Sequence, residues 1–196
     1  INGYGLVNDL HGVNLSGSAI VIDNVALKSG SSTLKSGLIG AEIDKHFNSY
    51  AGASAGFTVT VRNCTIEKDV VVGYDGTQSE IGSIAGRMQG TVENCVSYAT
   101  VKGVHYVGGI IGTKDNALGD CTVNNCTFGG TVEASGNNAG GIVGGGYNDS
   151  SAPNGIHVGV KNCAVTKDVA VSGKENVGGI LGGDEIVAQA WNSYAI

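Results

Sequence analysis

The chain has 196 residues, 41% of them hydrophobic, and carries 34 glycines against a single proline, Pro153. That length can bury a real core, the glycines show no three-residue collagen period, and 11 Lys+Arg against 17 Asp+Glu leave a net charge of -6 with no basic stripe for nucleic acid or an anionic membrane surface. No run of 18 apolar residues spans a bilayer, and the opening "INGYGLVNDL" lacks the charged start and apolar core of a signal peptide.

In chain order, "GYGLVN" at 3 to 8 reads as the tail of a repeat, and "VIDNVALKSG" with "SGLIG" as a decayed copy carrying the pair Asn24-Val25. Residues 41 to 56, "AEIDKHFNSYAGASAG", are either an insertion or a badly decayed half copy. Four clear copies follow. Each has an Asn-Cys pair: Asn63-Cys64, Asn94-Cys95, Asn125-Cys126 and Asn162-Cys163. Six residues after each cysteine stands a valine, Val70, Val101, Val132 and Val169. The glycine motifs come next: "IGSIAG" (81 to 86), "VGGIIG" (107 to 112), "AGGIVG" (139 to 144) and "VGGILG" (177 to 182). A further copy opens at "AWNSYAI", with Asn192-Ser193 at the pair, so the chain starts and stops mid-repeat and is expected to be a piece of a longer protein. Spacings between successive pairs are 39, 31, 31 and 37 residues, in the range of solenoids and propellers.

Short Val- and Ile-rich segments punctuated by Gly, Asn, Asp and Ser, with no ten-residue helical period, predict strands throughout. Val59 and Val61 alternate with threonine, but past Asn63 the apolar positions move to Cys64 and Ile66. That change of parity predicts a bend at the asparagine, a residue that tolerates the left-handed conformation. The glycine pair predicts a tight corner against a neighbouring coil, where a side chain would clash or force an unfavourable φ. One of the two aliphatics after it then enters the interior.

Three short strands per period, each pairing in parallel with its equivalent one repeat on, make an all-β fold. The expected architecture is a parallel β-solenoid of about five coils forming one domain over residues 1–196. The residues before each Asn supply an internal check of register: Asp23, Arg62, Glu93, Asn124 and Lys161 should form one outward column. A four-bladed propeller is the structural runner-up. It needs antiparallel hairpins and a closed ring of copies that this chain is too short to supply.

"NVGGILGGDE" and "YVGGIIGTKDN", each following an Asn-Cys strand, resemble the GLUG-motif repeats of bacterial cell-surface proteins, including those beside the catalytic part of IgA-cleaving metalloproteases. The resemblance covers roughly residues 58 to 185. It implies an exported, surface-attached, adhesin-like protein with a right-handed parallel β-helix fold, and it implies no activity. The chain departs from the protease members: it has no HExxH, and none of its four histidines lies four residues from another.

Candidate chemistry is sparse. Cys64, Cys95, Cys126 and Cys163 share a repeat position with Val25 and Ser193, which reads as a buried core column of reduced thiols, since stacked side chains point the same way and bridge poorly. Cys121 stands apart, with a bond to Cys126 around a bend as an alternative. No CxxC marks a zinc site. Asp115, Asp149 and Asp184 follow the glycine motifs without the nine-residue period of calcium-binding repeats, and read as solvated loop carboxylates. A pectin-degrading type of site would need clustered carboxylates beside a cation, but only Arg62 and Arg87 are arginines, and Lys68-Asp69 and Lys167-Asp168 read as turns. His11 near Asp9 reads as surface loop, no GxSxG nucleophile elbow exists, and only "TVT" at 58 to 60 matches an ice-binding array. Tyr98, Tyr106, Tyr147 and Trp191 fall at different repeat positions and read as loop and cap residues, with a carbohydrate platform as the alternative.

The expected function is therefore a non-enzymatic segment of a secreted bacterial surface protein, a stalk or adhesin-like surface for host or environmental glycan or protein. The alternative is a carbohydrate-active β-helix, lyase- or hydrolase-like, or its binding module. No catalytic residue, metal ligand or cofactor is assigned, and the binding residues are left open. The location expected is extracellular, at the cell surface, without membrane insertion of this segment. An uncapped end of stacked strands also predicts weak end-to-end self-association, with 190 to 196 pairing on the coil of Cys163 and Trp191 standing beyond Lys161.

Overall fold

The computed structural model describes residues 2–7, 10–11, 19–44, 58–114, 121–146, 158–183, 188–191 and 193–195. Every regular element among them is a strand, and the strands assemble into five sheets in which neighbours are parallel and come from successive repeats, each inner strand bonded to its equivalents one repeat earlier and one repeat later. This arrangement is consistent with a β-solenoid-like fold. No helix among the described residues is long and apolar enough to cross a membrane.

The first sheet carries the strands before each Asn bend: Ala19–Asp23, Thr58–Arg62, Gly90–Glu93, Cys121–Asn124, Val158–Lys161 and Ala188–Trp191. The expected outward column is in register throughout. Asp23 pairs with Arg62, Arg62 with Glu93, Glu93 with Asn124, Asn124 with Lys161 and Lys161 with Trp191. On the inner side Val61, Val92, Val123 and Val160 stack as identical residues, each fully buried. Burying a side chain of that size is worth about 1.5–3 kcal/mol, so one ladder alone outweighs any exposed ion pair.

After the bend come two-residue strands: Ala26–Leu27, Thr65–Ile66, Val96–Ser97, Thr127–Phe128, Ala164–Val165 and Tyr194–Ala195. The valine sheet follows, with Asn2–Gly3, Ser32–Thr33, Val71–Val72, Thr100–Gly103, Thr131–Ala134 and Ala170–Ser172. The first glycines of the corner lie on a four-stranded sheet of Ile81–Gly82, Val107–Gly108, Ala139–Gly140 and Val177–Gly178. The fifth sheet closes the repeat with Leu10–His11, Ile39–Asp44, Ala85–Met88, Ile111–Lys114 and Val143–Gly146.

Five short strands per repeat thus replace the three expected, because two left-handed residues and a glycine corner each interrupt a run that composition alone reads as continuous. The valine column also differs from the expected one. Val101 pairs with Val72 rather than Val70, and Val132 with Val171 rather than Val169. Lys68-Asp69 and Lys167-Asp168 form turns, Asp69 at φ 66°, and these turns add two residues that shift the column. Val70 instead aligns with Ala99: Thr100 N–H bonds to the Val70 carbonyl as Thr131 N–H does to that of Ala99.

Both decayed copies take their places. Asn2-Gly3 pairs with Ser32-Thr33, Val7 bridges to Ile39, and Ile39 pairs with Ala85. Residues 41–44 extend that strand past an irregularity between Ala85 and Arg87, and residues 45–57 lie outside the described set. At the other end, Ala188–Trp191 pairs on Val158–Lys161, and Tyr194–Ala195 on Ala164–Val165. Residues 192 and 196 lie outside the described set.

Candidate functional site

Three columns set the shape of each repeat and hence what its surface can present. The first is the asparagine bend. Asn24, Asn63, Asn94, Asn125 and Asn162 all take φ between 51° and 56°. Asn bears this conformation better than other side chains because its short amide bonds locally. Here the amides also join the coils. Asn63 Nδ2 donates to Asp23 Oδ1 at 2.8 Å, Asn125 Nδ2 to Asn94 Oδ1 at 2.7 Å, and Asn162 Nδ2 to Asn124 Oδ1 at 3.1 Å. A second left-handed column, unexpected from sequence, comprises Glu80, Tyr106, Asn138 and Asn176 just before each glycine motif. Asn176 Nδ2 donates to Asn138 Oδ1 at 2.8 Å, but Glu80 and Tyr106 carry no such signature in their residue type.

The second column is sulfur. All five cysteines are buried and unbridged. Each ladder thiol donates to the carbonyl two residues back: Cys64 to Arg62 at 3.1 Å, Cys95 to Glu93 at 3.3 Å, Cys126 to Asn124 at 3.3 Å and Cys163 to Lys161 at 3.2 Å. Ser193 continues the column, accepting the Cys163 N–H at 3.1 Å and donating to the Val160 carbonyl. Contacts with neighbouring thiols, then burial, push Cys64 and Cys126 far above the ordinary thiol range. The same contacts favour the ionised form at Cys95 and Cys163, where burial opposes it. Among the described residues the buried polar ones include no cation to hold a thiolate, so desolvation governs and the ladder is neutral. Cys121 sits on a different column, in register with Gly90 and Val158, and has no bond to Cys126.

The third column is glycine, where the expected clash is present and the expected unfavourable φ is not. None of the first glycines of the corner has a positive φ. A Cβ on Gly108 would lie 1.9 Å from the carbonyl oxygen of Ile111, and one on Gly140 1.9 Å from that of Val143, so the obstruction is the chain's own turn three residues on. The second glycine meets the next coil instead: a Cβ on Gly109 would lie 2.1 Å from the Gly141 oxygen and 2.5 Å from the Phe128 ring. Ser83 occupies that position in the earliest full copy, buried, with its hydroxyl donating to the Gly109 carbonyl. Both following aliphatics are buried, Ile110 with Ile111 and Ile142 with Val143, rather than one of each pair.

The charged residues weighed as chemistry are engaged in pairs. Arg62 binds Asp23 through Nε at 2.9 Å and Nη2 at 2.8 Å, and Arg87 Nη2 lies 2.8 Å from Glu80 Oε1. Lys102 pairs with Glu133 at 3.1 Å, and Lys28 with Glu67. Among the described residues no three His, Cys, Asp or Glu side chains converge to hold a metal ion. Asp9, Asp115, Tyr147, Asp149 and Asp184 lie outside the described set, and His11 is placed by its backbone, paired with Asp44. Tyr98 is exposed beside Gly129, and Tyr106 is half-buried in the second left-handed column, so the two do not form a common platform. Trp191 pairs with Lys161 through its backbone.

A different aromatic pair does converge. Where the valine sheet ends, Tyr4, Leu34 and Tyr74 leave successive strands. Leu34 N–H bonds to the Gly3 carbonyl at 2.7 Å, and Tyr74 N–H to that of Thr33 at 3.1 Å. With Gly3 and Ser32 they line a cleft of about 330 Å³. Both tyrosines are more than half exposed, at 52% and 54%, where buried aromatics are the rule for large rings. Lys35 Nζ lies 5.9 Å from the centre of the ring of Tyr4, one of the lining residues, within cation–π range. Asp75, which follows Tyr74 in sequence, accepts the Thr77 N–H at 3.1 Å. Sequence reading missed this site, although a Gly-Tyr step recurs at 3–4 and 73–74 and could have marked it.

No protein-family model, curated protein or solved structure matches the chain.

Proposed function

We propose that the chain is a non-enzymatic segment of a secreted bacterial cell-surface protein, acting as a stalk with an adhesin-like surface for host or environmental glycan or protein. On this reading it is a right-handed parallel β-helix of about five coils, akin to the GLUG-motif repeats, and it works outside the cell. What supports the reading is the in-register stacking of the repeat through all five sheets. Such a unit extends by adding copies, and its outward residues form rows rather than a closed site. The two arginines, the strongest cations for a polysaccharide-cleaving centre, are each tied to a carboxylate.

One observation bears on both readings: the exposed Tyr4 and Tyr74 flank a cleft of the kind that sugars stack in, which suits a glycan-binding surface as well as the carbohydrate-active alternative. A glycan and host-protein array run beside a polysaccharide-cleavage assay separates the two readings. Retention without cleavage is the expected result, whereas turnover of any polysaccharide would overturn the non-enzymatic assignment. Ala188–Trp191 and Tyr194–Ala195 are the outermost strands of their sheets, and we propose that such edges give weak end-to-end association.

A further inference from the structure

The geometry points to the Tyr4–Tyr74 cleft as a binding site for an acidic saccharide, a pyranose bearing a carboxylate. This deepens the adhesive reading above and rests on it. The two rings come from coils two repeats apart, and both stand outside the buried core. Aromatic faces stack on the C–H faces of sugars, and Leu34 between them supplies an apolar floor. A volume of about 330 Å³ is at the small end of ligand pockets, which suits one sugar ring with its neighbours running out along the surface.

The charge follows from Lys35. In a chain with net charge -6, its ammonium lies over the ring of Tyr4, which lines the cleft. Asp75, next to Tyr74 in sequence, accepts the Thr77 N–H. A carboxylate on the bound sugar would take the ammonium as a charge-assisted hydrogen-bond donor, while its ring lies on the tyrosines.

The test is calorimetric or NMR titration of the intact chain with trigalacturonate and its methyl ester, and with sialyllactose and lactose. These two pairs distinguish a uronate from a sialic acid as the source of the charge. At least one acidic sugar should bind and its neutral counterpart should bind roughly tenfold more weakly, as the loss of one hydrogen bond to a charged group predicts. Lys35→Gln should erase that preference, Tyr74→Ala should weaken binding at least tenfold, and Tyr74→Phe should restore it. Equal binding of acidic and neutral forms, or binding unchanged in both Tyr4→Ala and Tyr74→Ala, overturns the proposal. If the array shows a ligand whose retention ignores all of these substitutions, the cleft assignment falls while the adhesive reading stands. If neither glycan nor protein is retained, the adhesive reading falls and takes the cleft with it. Both tyrosines are exposed, so an unchanged melting temperature in each variant separates lost binding from lost folding.

Discussion

The glycine corner makes the sharpest energetic claim, and Gly108→Ala tests it. The added Cβ would sit 1.9 Å from the Ile111 carbonyl oxygen, 2.6 Å from the Gly144 nitrogen and 2.9 Å from the Ile111 carbonyl carbon. The first is about 1.5 Å short of ordinary contact, and all three are backbone atoms that no rotamer change can move. Gly108 pairs with Gly82 on one side and Gly140 on the other, so relief must displace a strand bonded in both directions. Overpacking of this sort costs about 1–3 kcal/mol, and rigid neighbours put Gly108→Ala at the upper end. For a domain of this length that is a fall in melting temperature of roughly 6–12 °C. Two companions grade the series. Gly179→Ala meets only the Ala195 Cβ at 2.8 Å and should cost less, and Gly3→Ala meets nothing within 4 Å and should be nearly neutral. Thermal melts by circular dichroism, which should also show strand with little helix, read all three. A melting temperature for Gly108→Ala within about 2 °C of the parent would refute the close-approach argument.

Four further outcomes are expected. The five buried thiols should label slowly in native buffer and fully after denaturation, and Cys126→Val should cost less than about 1.5 kcal/mol because Val25 already fills that column; rapid native labelling by a thiol reagent would contradict the ladder. Asn94→Gly should be tolerated, whereas Asn94→Val should lose about 1–3 kcal/mol in urea unfolding by forcing a branched side chain to φ 53°. Hydrogen bonds from Asn63 and then Arg62 hold Asp23 below its ordinary value of 3.8, and Lys28 with the Ser29 amide holds Glu67 below 4.5. Both are depressed in the folded state, so their stabilisation is complete above those ordinary values and is lost as pH falls below them; Asp23→Asn with Glu67→Gln should flatten melting temperature against pH in that acid window. Analytical ultracentrifugation over a concentration series should show weak association between sheet edges, and strictly monomeric behaviour at high concentration would count against it.

Much of the architecture was legible in the residues because a parallel ladder places equivalent positions in equivalent surroundings. Repeated Asn-Cys pairs therefore report a repeated bend and a repeated buried site, and the run Asp23, Arg62, Glu93, Asn124, Lys161 reports register. What needed the tertiary structure is whatever depends on distance between coils rather than on period. The shift from Val70 to Val72 arises from a two-residue turn that a fixed offset from cysteine cannot detect. The glycine requirement turns on a carbonyl three residues ahead, visible only once the corner is folded. Tyr4 and Tyr74 belong to different copies and share only a Gly-Tyr step that also occurs at 146–147, so only the stacking of one coil on another makes them walls of a single cleft.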